Sequence, residues 1–167
     1  MAEPTPHHLA QVNVALLRAP LDGPELAGFV ALLEPINALA DRSPGFVWRL
    51  QTEDGDATAV RPFDDDRMLV NLTVWESLEA LRDFVFASRH LDAMRRRREW
   101  FHRLAIPYLA LWWVPPGTVP TVAEAKRRLE LVQRQGPGPD AFTFREPSLP
   151  PGPPHDANEL GNSTRLA

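Results

Sequence analysis

Four consecutive arginines, at positions 95–98, form the most prominent group of residues that could do chemistry in this sequence. A guanidinium group can hold an anionic or carbonyl oxygen through its planar set of donors, although most arginines on a helix face water. A helix over 90–104 would place Arg97 and Arg98 beside an apolar stripe that includes Phe101. We therefore expect Arg97 or Arg98 to reach a site, and the first two arginines of the run to be solvated.

His90 begins the same stretch and is a second candidate. A neutral imidazole can accept a proton or bind a metal, but a single histidine beside apolar residues is more often structural and hydrogen-bonded. Both interpretations stay open. The remaining histidines are scattered without metal-site spacing and cysteine is absent, so no metal site is predicted. No phosphate loop or nucleophile elbow supports a hydrolase, a kinase or a nucleotide cofactor.

Two predicted strands, 8–17 and 67–75, each have one apolar face and one mixed face, because successive side chains of a strand alternate. The mixed face combines polar and aromatic groups, so it is too apolar to be exposed and too polar for a dry core. We expect it to line a pocket, a dimer interface or both. Adjacent tryptophans on a strand point to opposite sides, so only one of that pair can reach this face. The predicted members are Asn13, Arg49, Asn71, Thr73, Trp75 and either Trp112 or Trp113.

The composition argues against several kinds of partner. The 18 Lys and Arg residues are outnumbered by 22 Asp and Glu, whereas a nucleic-acid binder usually has a clustered basic excess. The longest apolar stretch, around 106–116, is far shorter than the ~20 residues that span a bilayer. The first residues do not resemble a signal peptide. We expect a soluble cytoplasmic protein that binds neither nucleic acid nor membrane.

Hydrophobic periodicity and turn residues predict the element order β-α-β-β-α-α-β-α. This order is typical of an α+β, ferredoxin-like sandwich, in which a four-stranded antiparallel sheet carries helices on one face. The apolar face is the natural one for the helices. The predicted strands are 8–17, 45–51, 67–75 and 108–114, and the predicted helices are 24–42 with a kink or break at Pro35, 77–89 and 90–104 with an N-cap at Ser77, and 121–136 with a capping box of Thr121 and Glu124 and a C-cap at Gly136.

The C-terminal segment differs in composition from the rest of the chain. Residues 147–167 include five prolines and few groups that could bury area, so they should not offset the entropy of ordering. We expect one domain over 1–146 that ends in a short docking segment at 141–144, followed by a flexible proline-rich tail over 147–167.

Several stretches of the sequence resemble a bacterial family of unknown function within the dimeric α+β barrel superfamily, which includes antibiotic-biosynthesis monooxygenases. The most specific are LVNLTVWESLEAL and LWWVP, and the resemblance covers about residues 8–145. It implies a ferredoxin-like protomer that pairs with a second copy through its sheet and keeps a pocket between sheet and helices. A homodimer is therefore expected, and the half-aromatic face around Trp75 and Trp112 is the expected interface.

The resemblance also implies two sets of site residues. Cofactor-independent oxygenases of aromatic polyketides use an Asn, a Trp four residues later on the same strand, and an Arg from the following helix. Asn71 and Trp75 match this spacing, and Arg95, Arg97 or Arg98 can supply the arginine. Haem-degrading relatives use an Asn, a Trp and a His, roles that Asn13, Trp75 and His90 match by element, although His90 lies further along the chain than that pattern places it.

The sequence thus predicts a protein that binds a small molecule and is either an oxygenase without bound metal or flavin, a non-catalytic ligand-binding or stress-related module, or a haem protein. The residues predicted to be catalytic are Asn71, Trp75, His90, Arg97 and Arg98, and those predicted to bind the ligand are Asn13, Arg49, Thr73, Phe101 and Trp112.

Overall fold

The sheet is organised around β1, the strand His8–Leu17. In the computed structural model, which describes residues 6–152, β1 pairs with β3 on one side and with β5 and the short β4 on the other, and β2 pairs with the outer edge of β3. All neighbours are antiparallel, as predicted for the ferredoxin-like α+β fold. The other strands are β2 (Phe46–Arg49), β3 (Met68–Trp75), β4 (Phe101–His102) and β5 (Leu109–Val114).

The helices follow the predicted order, with two differences. Pro35 lies inside a continuous helix and does not divide it in two. The predicted helix over 90–104 is two short helices, and the chain then turns extended at Phe101 to pair with the end of β1. The helices are α1 (Ala27–Asp41, preceded by a 3-10 turn at Pro24–Leu26), α2 (Leu78–Ala87), α3 (His90–Arg95), α4 (Arg97–Trp100) and α5 (Val122–Gln135).

The predicted caps are formed by side chains that accept from unpaired backbone N–H groups. Ser77 Oγ accepts from the N–H of Ala80 at 3.1 Å, and Thr121 Oγ1 accepts from the N–H of Glu124 at 3.1 Å. Gly136 ends α5 with a φ of 76°, a conformation that glycine adopts without steric cost.

The apolar face of the sheet is covered by α5. Val12 and Leu72 lie on this face, and Leu129 of α5 packs against them, all at 1% exposure or less. The prediction that a helix covers the apolar face is therefore confirmed for α5. The mixed face, however, is covered by α1, α2 and α3, so the expectation of helices on one face only is wrong. The cause is the amphipathic C-terminal helix, which folds back over the sheet.

Trp112 lies on the α5 face and not in the predicted site. It pairs with Ala10 of β1, whereas Trp113 and Trp75 both pair with Leu9 and so share the mixed face. Trp112 is fully buried in the apolar cluster, and its assignment as a ligand-binding residue is wrong. The alternation rule correctly separates the two tryptophans, but it does not give the register of β5 against β1, which decides which of them shares the mixed face.

The expected interface around Trp75 and Trp112 is also wrong, because both side chains are fully buried inside the chain on opposite faces. The homodimer itself remains a prediction. Within residues 6–152, no helix is long and apolar enough to cross a membrane.

The segment after α5 docks as predicted at 141–144. Phe142 exchanges two backbone hydrogen bonds with Leu111 at 2.8 Å and is fully buried. Of the predicted flexible tail, 147–152 lie within the described residues, where Ser148 O accepts from Trp113 Nε1 at 2.8 Å. Residues 153–167 lie outside the described part, so the tail stays a prediction.

Candidate functional site

A cavity of about 380 Å³ lies between the mixed face of the sheet and helices α1, α2 and α3. Most of its wall is apolar, and the polar groups come from the strands, from the loop between β2 and β3, and from single positions on α1, α3 and α4. This combination of apolar walls with a few placed polar groups is typical of small-molecule sites. The apolar wall includes Phe29, Leu33, Ile36, Leu81, Phe84 and Met94.

Five side chains on β1 and β3 form a continuous hydrogen-bonded series across the floor of the cavity, which we call the polar ladder. Its members are cross-strand neighbours, because Gln11 pairs with Thr73 and Asn13 pairs with Asn71. The bonds run from Trp75 Nε1 to Thr73 Oγ1 (2.9 Å), from Thr73 Oγ1 to Gln11 Oε1 (2.8 Å), from Gln11 Nε2 to Asn13 Oδ1 (2.7 Å) and from Asn71 Nδ2 to Asn13 Oδ1 (3.0 Å).

The polar ladder runs from the buried end of the cavity to its open end. Trp75 is fully buried, Gln11 and Thr73 are buried, Asn13 is half-buried and Asn71 is exposed. A ligand that entered beside Asn71 would thus meet the two carboxamides first. The structure brings Asn13, Asn71, Thr73 and Trp75 together, as predicted from alternation.

Arg97 supplies a cationic group to the same cavity. Its Nη1 donates to Tyr108 Oη at 2.9 Å, and its guanidinium carbon lies 4.4 Å from the centroid of the Tyr108 ring. The stacking and the hydrogen bond together hold a planar group that has five N–H donors in all. Donors remain for an anionic or carbonyl oxygen of a ligand.

The arginine run divides differently from the helical prediction. Arg95 and Arg96 are exposed as expected, and Arg96 pairs with Glu99 at 3.0 Å. Arg98 is also exposed and lies outside the cavity lining, so its assignment to the site is wrong. The reason is the break between α3 and α4 at residue 96, which shifts the helical phase.

Arg49 lies in the cavity lining, but its guanidinium is engaged elsewhere. Nε donates to Asp41 Oδ1 and Nη1 donates to the carbonyl of Gly55, both at 2.7 Å. These contacts attach the loop between β2 and β3 to the C-terminal end of α1. Arg49 is therefore placed to hold the wall of the cavity, and a direct ligand contact remains a prediction.

His90 lines the cavity at the start of α3. Its ring lies 4.9 Å from that of Phe84, which stacks on Trp75 at 5.1 Å. Burial lowers the pKa of His90 below its ordinary value of 6.5, and the carbonyl of Val85, 3.4 Å from Nδ1, opposes this shift. The ring is thus neutral at pH 7, with Nδ1 beside that carbonyl and Nε2 left as an acceptor.

Phe101, predicted to bind the ligand, lines the cavity from β4. It meets Phe29 of α1 edge to face, with the ring centroids 5.0 Å apart.

Among the lining residues that were not predicted, three take part in hydrogen bonds described here. Gln11 shares a strand face with Asn13 but was not recognised as the link between the two halves of the polar ladder. Tyr108 was predicted to begin the strand 108–114, where alternation would place it on the side of Trp112, but in the structure it precedes β5 and lines the cavity. Phe144 reaches the cavity from the docking segment after α5, and its carbonyl accepts from Arg82 at 3.0 Å. Of these, only Gln11 had a sequence signal, a polar residue at a buried strand position.

Within residues 6–152, no group of three or more His, Asp or Glu side chains is placed to hold a metal ion. A haem iron needs as few as one protein ligand. His90 is the one histidine among the described residues that line the cavity, and its Nε2 is the nitrogen that could bind iron. The hydrogen bond at Nδ1 is of the kind that orients metal-binding histidines.

The protein thus has an α+β fold, in which a cavity lies between an antiparallel sheet and the helices that cover one of its faces. Residues 8–158 match the model of the family described as domain of unknown function DUF3291, and the chain belongs to that family. No curated protein matches the chain.

The chain is also similar to solved structures of low sequence identity. SnoaB from Streptomyces nogalater, described as a cofactor-independent oxygenase, is 21% identical with a TM-score of 0.47, over 69% of this chain and 99% of SnoaB. Rv0793 from Mycobacterium tuberculosis is 16% identical with a TM-score of 0.43, over 68% and 99%. NE2512 from Nitrosomonas europaea, a protein of unknown function, is 12% identical with a TM-score of 0.45, over 70% and 98%.

Proposed function

We propose that this protein binds an aromatic small molecule in the cavity and oxidises it with dioxygen without a resident metal or flavin. The observation that carries the proposal is the polar ladder and Arg97 set into a cavity whose wall is mostly apolar. Such a site can hold a flat apolar ring while hydrogen-bond donors meet an oxygen atom at its edge. The sequence resemblance described above supports the same chemistry, because Asn71, Trp75 and Arg97 match the residue types that it implies and all three line the cavity.

The chemistry needs a substrate that forms an oxygen-stabilised anion, such as a phenol or an anthrone. Loss of a proton gives the anion, which passes one electron to dioxygen, and the two radicals combine to form the carbon–oxygen bond of a peroxide anion. The proton removed at the start returns to this anion and gives a hydroperoxide. Loss of water then breaks the O–O bond, leaving one oxygen atom in a new carbonyl group and the other in water. Every electron that reduces dioxygen comes from the substrate.

The lining residues have distinct roles in this proposal. Arg97 and the carboxamide nitrogen of Asn13 stabilise charge on the substrate oxygen, an interaction that is strongest where water is excluded, and Asn71 orients Asn13 by donating to its Oδ1. His90, neutral because burial lowers its pKa, accepts the substrate proton. The apolar wall keeps water from the radical pair.

Oxygen uptake with an anthrone tests the proposal, using Arg97→Gln against Arg98→Gln. Arg98 is the matched control, because it is the next residue in the chain but faces solvent. Loss of a charge-assisted hydrogen bond at Arg97 should cost about 1.5–3 kcal/mol, which is tenfold or more in binding or turnover. Arg97→Lys should not restore it, because an ammonium lacks the planar fork.

The outcomes separate the alternatives. Anthrone-dependent oxygen uptake that falls in the Arg97 variants only supports the oxygenase. Tight binding of the anthrone without oxygen uptake would instead indicate a non-catalytic binding module. Equal losses for both arginines at unchanged melting temperature would mean that the run acts as a surface patch and that Arg97 has no special role.

A haem-binding function is the second candidate, and His90 is the observation that favours it. Bound haem would supply an iron that activates dioxygen, with His90 Nε2 as its protein ligand. Titration with haemin gives the test: a Soret band that shifts in wild type but not in His90→Ala supports haem binding, and an unchanged spectrum contradicts it.

We also propose a homodimer, the assembly that the resemblance implies. Because the chain's own helices cover both faces of the sheet, the dimer would use another surface. Light scattering at micromolar concentration measures the mass, and a stable monomer would contradict the proposal.

A further inference from the structure

We infer that the polar ladder has one fixed hydrogen-bond direction, set by the indole of Trp75, and that it leaves Asn13 Nδ2 as a donor to an acceptor oxygen of the ligand. The inference rests on the proposed role of the cavity as a ligand site. It assigns Gln11 and Thr73 as positioning residues, which act on the ligand only through Asn13.

The direction begins at the buried end of the polar ladder. An indole nitrogen can only donate, so the Trp75 Nε1–H must be given to Thr73 Oγ1, 2.9 Å away. The hydroxyl of Thr73 then needs an acceptor for its own hydrogen. Gln11 Oε1, at 2.8 Å, is that acceptor. Both Thr73 and Gln11 are buried, so an unpaired group at either position would be unfavourable.

The orientation of the Gln11 amide determines which atom it presents to Asn13. Because Gln11 Oε1 faces Thr73, its Nε2 faces the other way and donates to Asn13 Oδ1 at 2.7 Å. Reversing Gln11 would turn a donor toward Thr73 and leave the buried Thr73 hydroxyl without its acceptor. The oxygen and nitrogen of the Gln11 amide are therefore distinguished by hydrogen bonding rather than by shape.

Asn13 receives a second donor, which fixes its own orientation. Asn71 Nδ2 also points to Asn13 Oδ1, at 3.0 Å. If Asn13 were reversed, its NH2 group would face two other NH2 groups. The bonds of the polar ladder use Asn13 Oδ1 and Asn71 Nδ2, and within the described residues the other atom of each carboxamide, Asn13 Nδ2 and Asn71 Oδ1, has no hydrogen-bond partner. The two free groups, one donor and one acceptor, belong to cross-strand neighbours that line the cavity.

This arrangement specifies the chemistry of the ligand edge. An acceptor oxygen, neutral carbonyl or anionic phenolate, fits against Asn13 Nδ2, and a hydroxyl hydrogen fits against Asn71 Oδ1. A substrate oxygen that gains negative charge is stabilised by the same Asn13 donor without any rearrangement of the carboxamide, because its orientation is already set.

Nuclear magnetic resonance of the labelled full chain tests the direction without any ligand. Coupling through the hydrogen bond from Gln11 Nε2 to the side-chain carbonyl carbon of Asn13 is the expected result. Coupling from Asn13 Nδ2 to the side-chain carbon of Gln11, or no coupling in either sense, would overturn the inference. Neither result depends on oxygen uptake, so a failure of the oxygenase proposal is distinguishable from a failure here.

Asn13→Asp tests the donor role, because it keeps the oxygen that accepts from Gln11 and Asn71 and replaces only the nitrogen facing the cavity. With 4-nitrophenol as the probe, wild type should lower the pKa of the bound phenol, and Asn13→Asp should abolish this shift and weaken phenolate binding at least tenfold at an unchanged melting temperature. Asn37→Asp, on the α1 wall of the same cavity, is the charge control and should have a smaller effect.

Thr73→Val tests the positioning role, since valine keeps the shape and removes the hydroxyl that orients Gln11. It should reduce the pKa shift of bound 4-nitrophenol, and Thr73→Ser should restore it. Four results would each overturn the inference. The first is an equal effect of Asn13→Asp and Asn37→Asp, and the second is a lower melting temperature for Asn13→Asp with no effect on the phenol. The others are a wild-type pKa shift of zero and a failure of Thr73→Ser to restore the shift.

Discussion

The two faces of the sheet are built from the same strands but differ in packing and polarity. Under α5, aliphatic side chains of β1 and β3 meet Leu129 and Val132 and form a dry core. Under α1 to α3, the alternate side chains of those strands form the polar ladder and border a cavity of about 380 Å³. The cavity face thus combines a second buried apolar cluster with the empty space that a ligand requires.

The tryptophans show the same contrast in the treatment of polar groups. Trp75 Nε1 on the cavity face donates to Thr73, whereas Trp112 Nε1 on the α5 face is buried without a hydrogen-bond partner in the described structure. The Trp112 indole contributes its ring area to the core, and its unpaired N–H is an unfavourable exception to the usual pairing of buried indoles. The polar ladder pairs every group that it buries.

Matched leucine truncations should separate the two faces most strongly. Leu129→Ala, in the dry core, should lower the free energy of unfolding by about 2–5 kcal/mol, because it creates a new void among close-packed side chains. Leu33→Ala only widens a cavity that exists already, so it should cost about 1–2 kcal/mol. Urea unfolding of both variants measures the difference. Equal losses would show that the cavity face is packed as tightly as the other.

The same substitution at the two tryptophans should give a smaller contrast. Trp75→Phe removes the donor that begins the polar ladder and leaves Thr73 without it, whereas Trp112→Phe removes an N–H that has no partner. Both variants lose similar ring volume, so Trp75→Phe should cost about 1–3 kcal/mol more than Trp112→Phe. Thermal unfolding compares the pair. A greater loss at Trp112 would mean that its N–H is paired in solution.

His90 should make stability depend on pH on the cavity face. Burial lowers its pKa below 6.5, so as pH falls below that value the unfolded chain takes up a proton more readily than the folded protein, and stability decreases. The contribution is complete above pH 6.5 and is lost as pH falls toward the lowered pKa. His90→Gln should remove this part of the pH dependence. Unfolding curves at about pH 7.5 and about pH 5.5 check it, and an unchanged difference between the two would contradict the assignment.

Deleting residues 153–167 should have the smallest effect. Their composition predicts little burial, so melting temperature should be nearly unchanged. Extending the deletion to 147 should cost more, because it also removes the carbonyl of Ser148 that accepts from Trp113. A drop of many degrees for the shorter deletion would show that the tail docks.

Local patterns predicted the strands and the composition of both faces, because alternation depends only on neighbouring residues. They did not predict the assignment of helices to faces. The amphipathic pattern of α5 shows that one side is buried but not which face of the sheet buries it. Trp112 was misplaced because alternation alone does not give the register of β5 against β1. Tertiary packing decided the question.

The arginine run shows a second limit of local reasoning. A continuous helix would place Arg97 and Arg98 on either side of the apolar stripe. Instead, the helix is interrupted at Arg96, and the backbone becomes extended at Phe101, where it pairs with β1. That pairing is a long-range contact, and it turns Arg97 toward Tyr108 and Arg98 toward solvent. The residue type was predictable, but the choice between neighbours was not.

Tyr108 is the single tyrosine of the sequence, and its hydroxyl accepts from the guanidinium of Arg97 inside the cavity. The ultraviolet absorption of a phenol changes when its hydrogen bonding changes, so one chromophore reports on one wall of the site. Any molecule that draws Arg97 away should alter the tyrosine difference spectrum, and Arg97→Gln should silence that response. The absorption of Tyr108 can thus report whether the cavity is occupied, and it can be used to screen colourless compounds before any reaction is known.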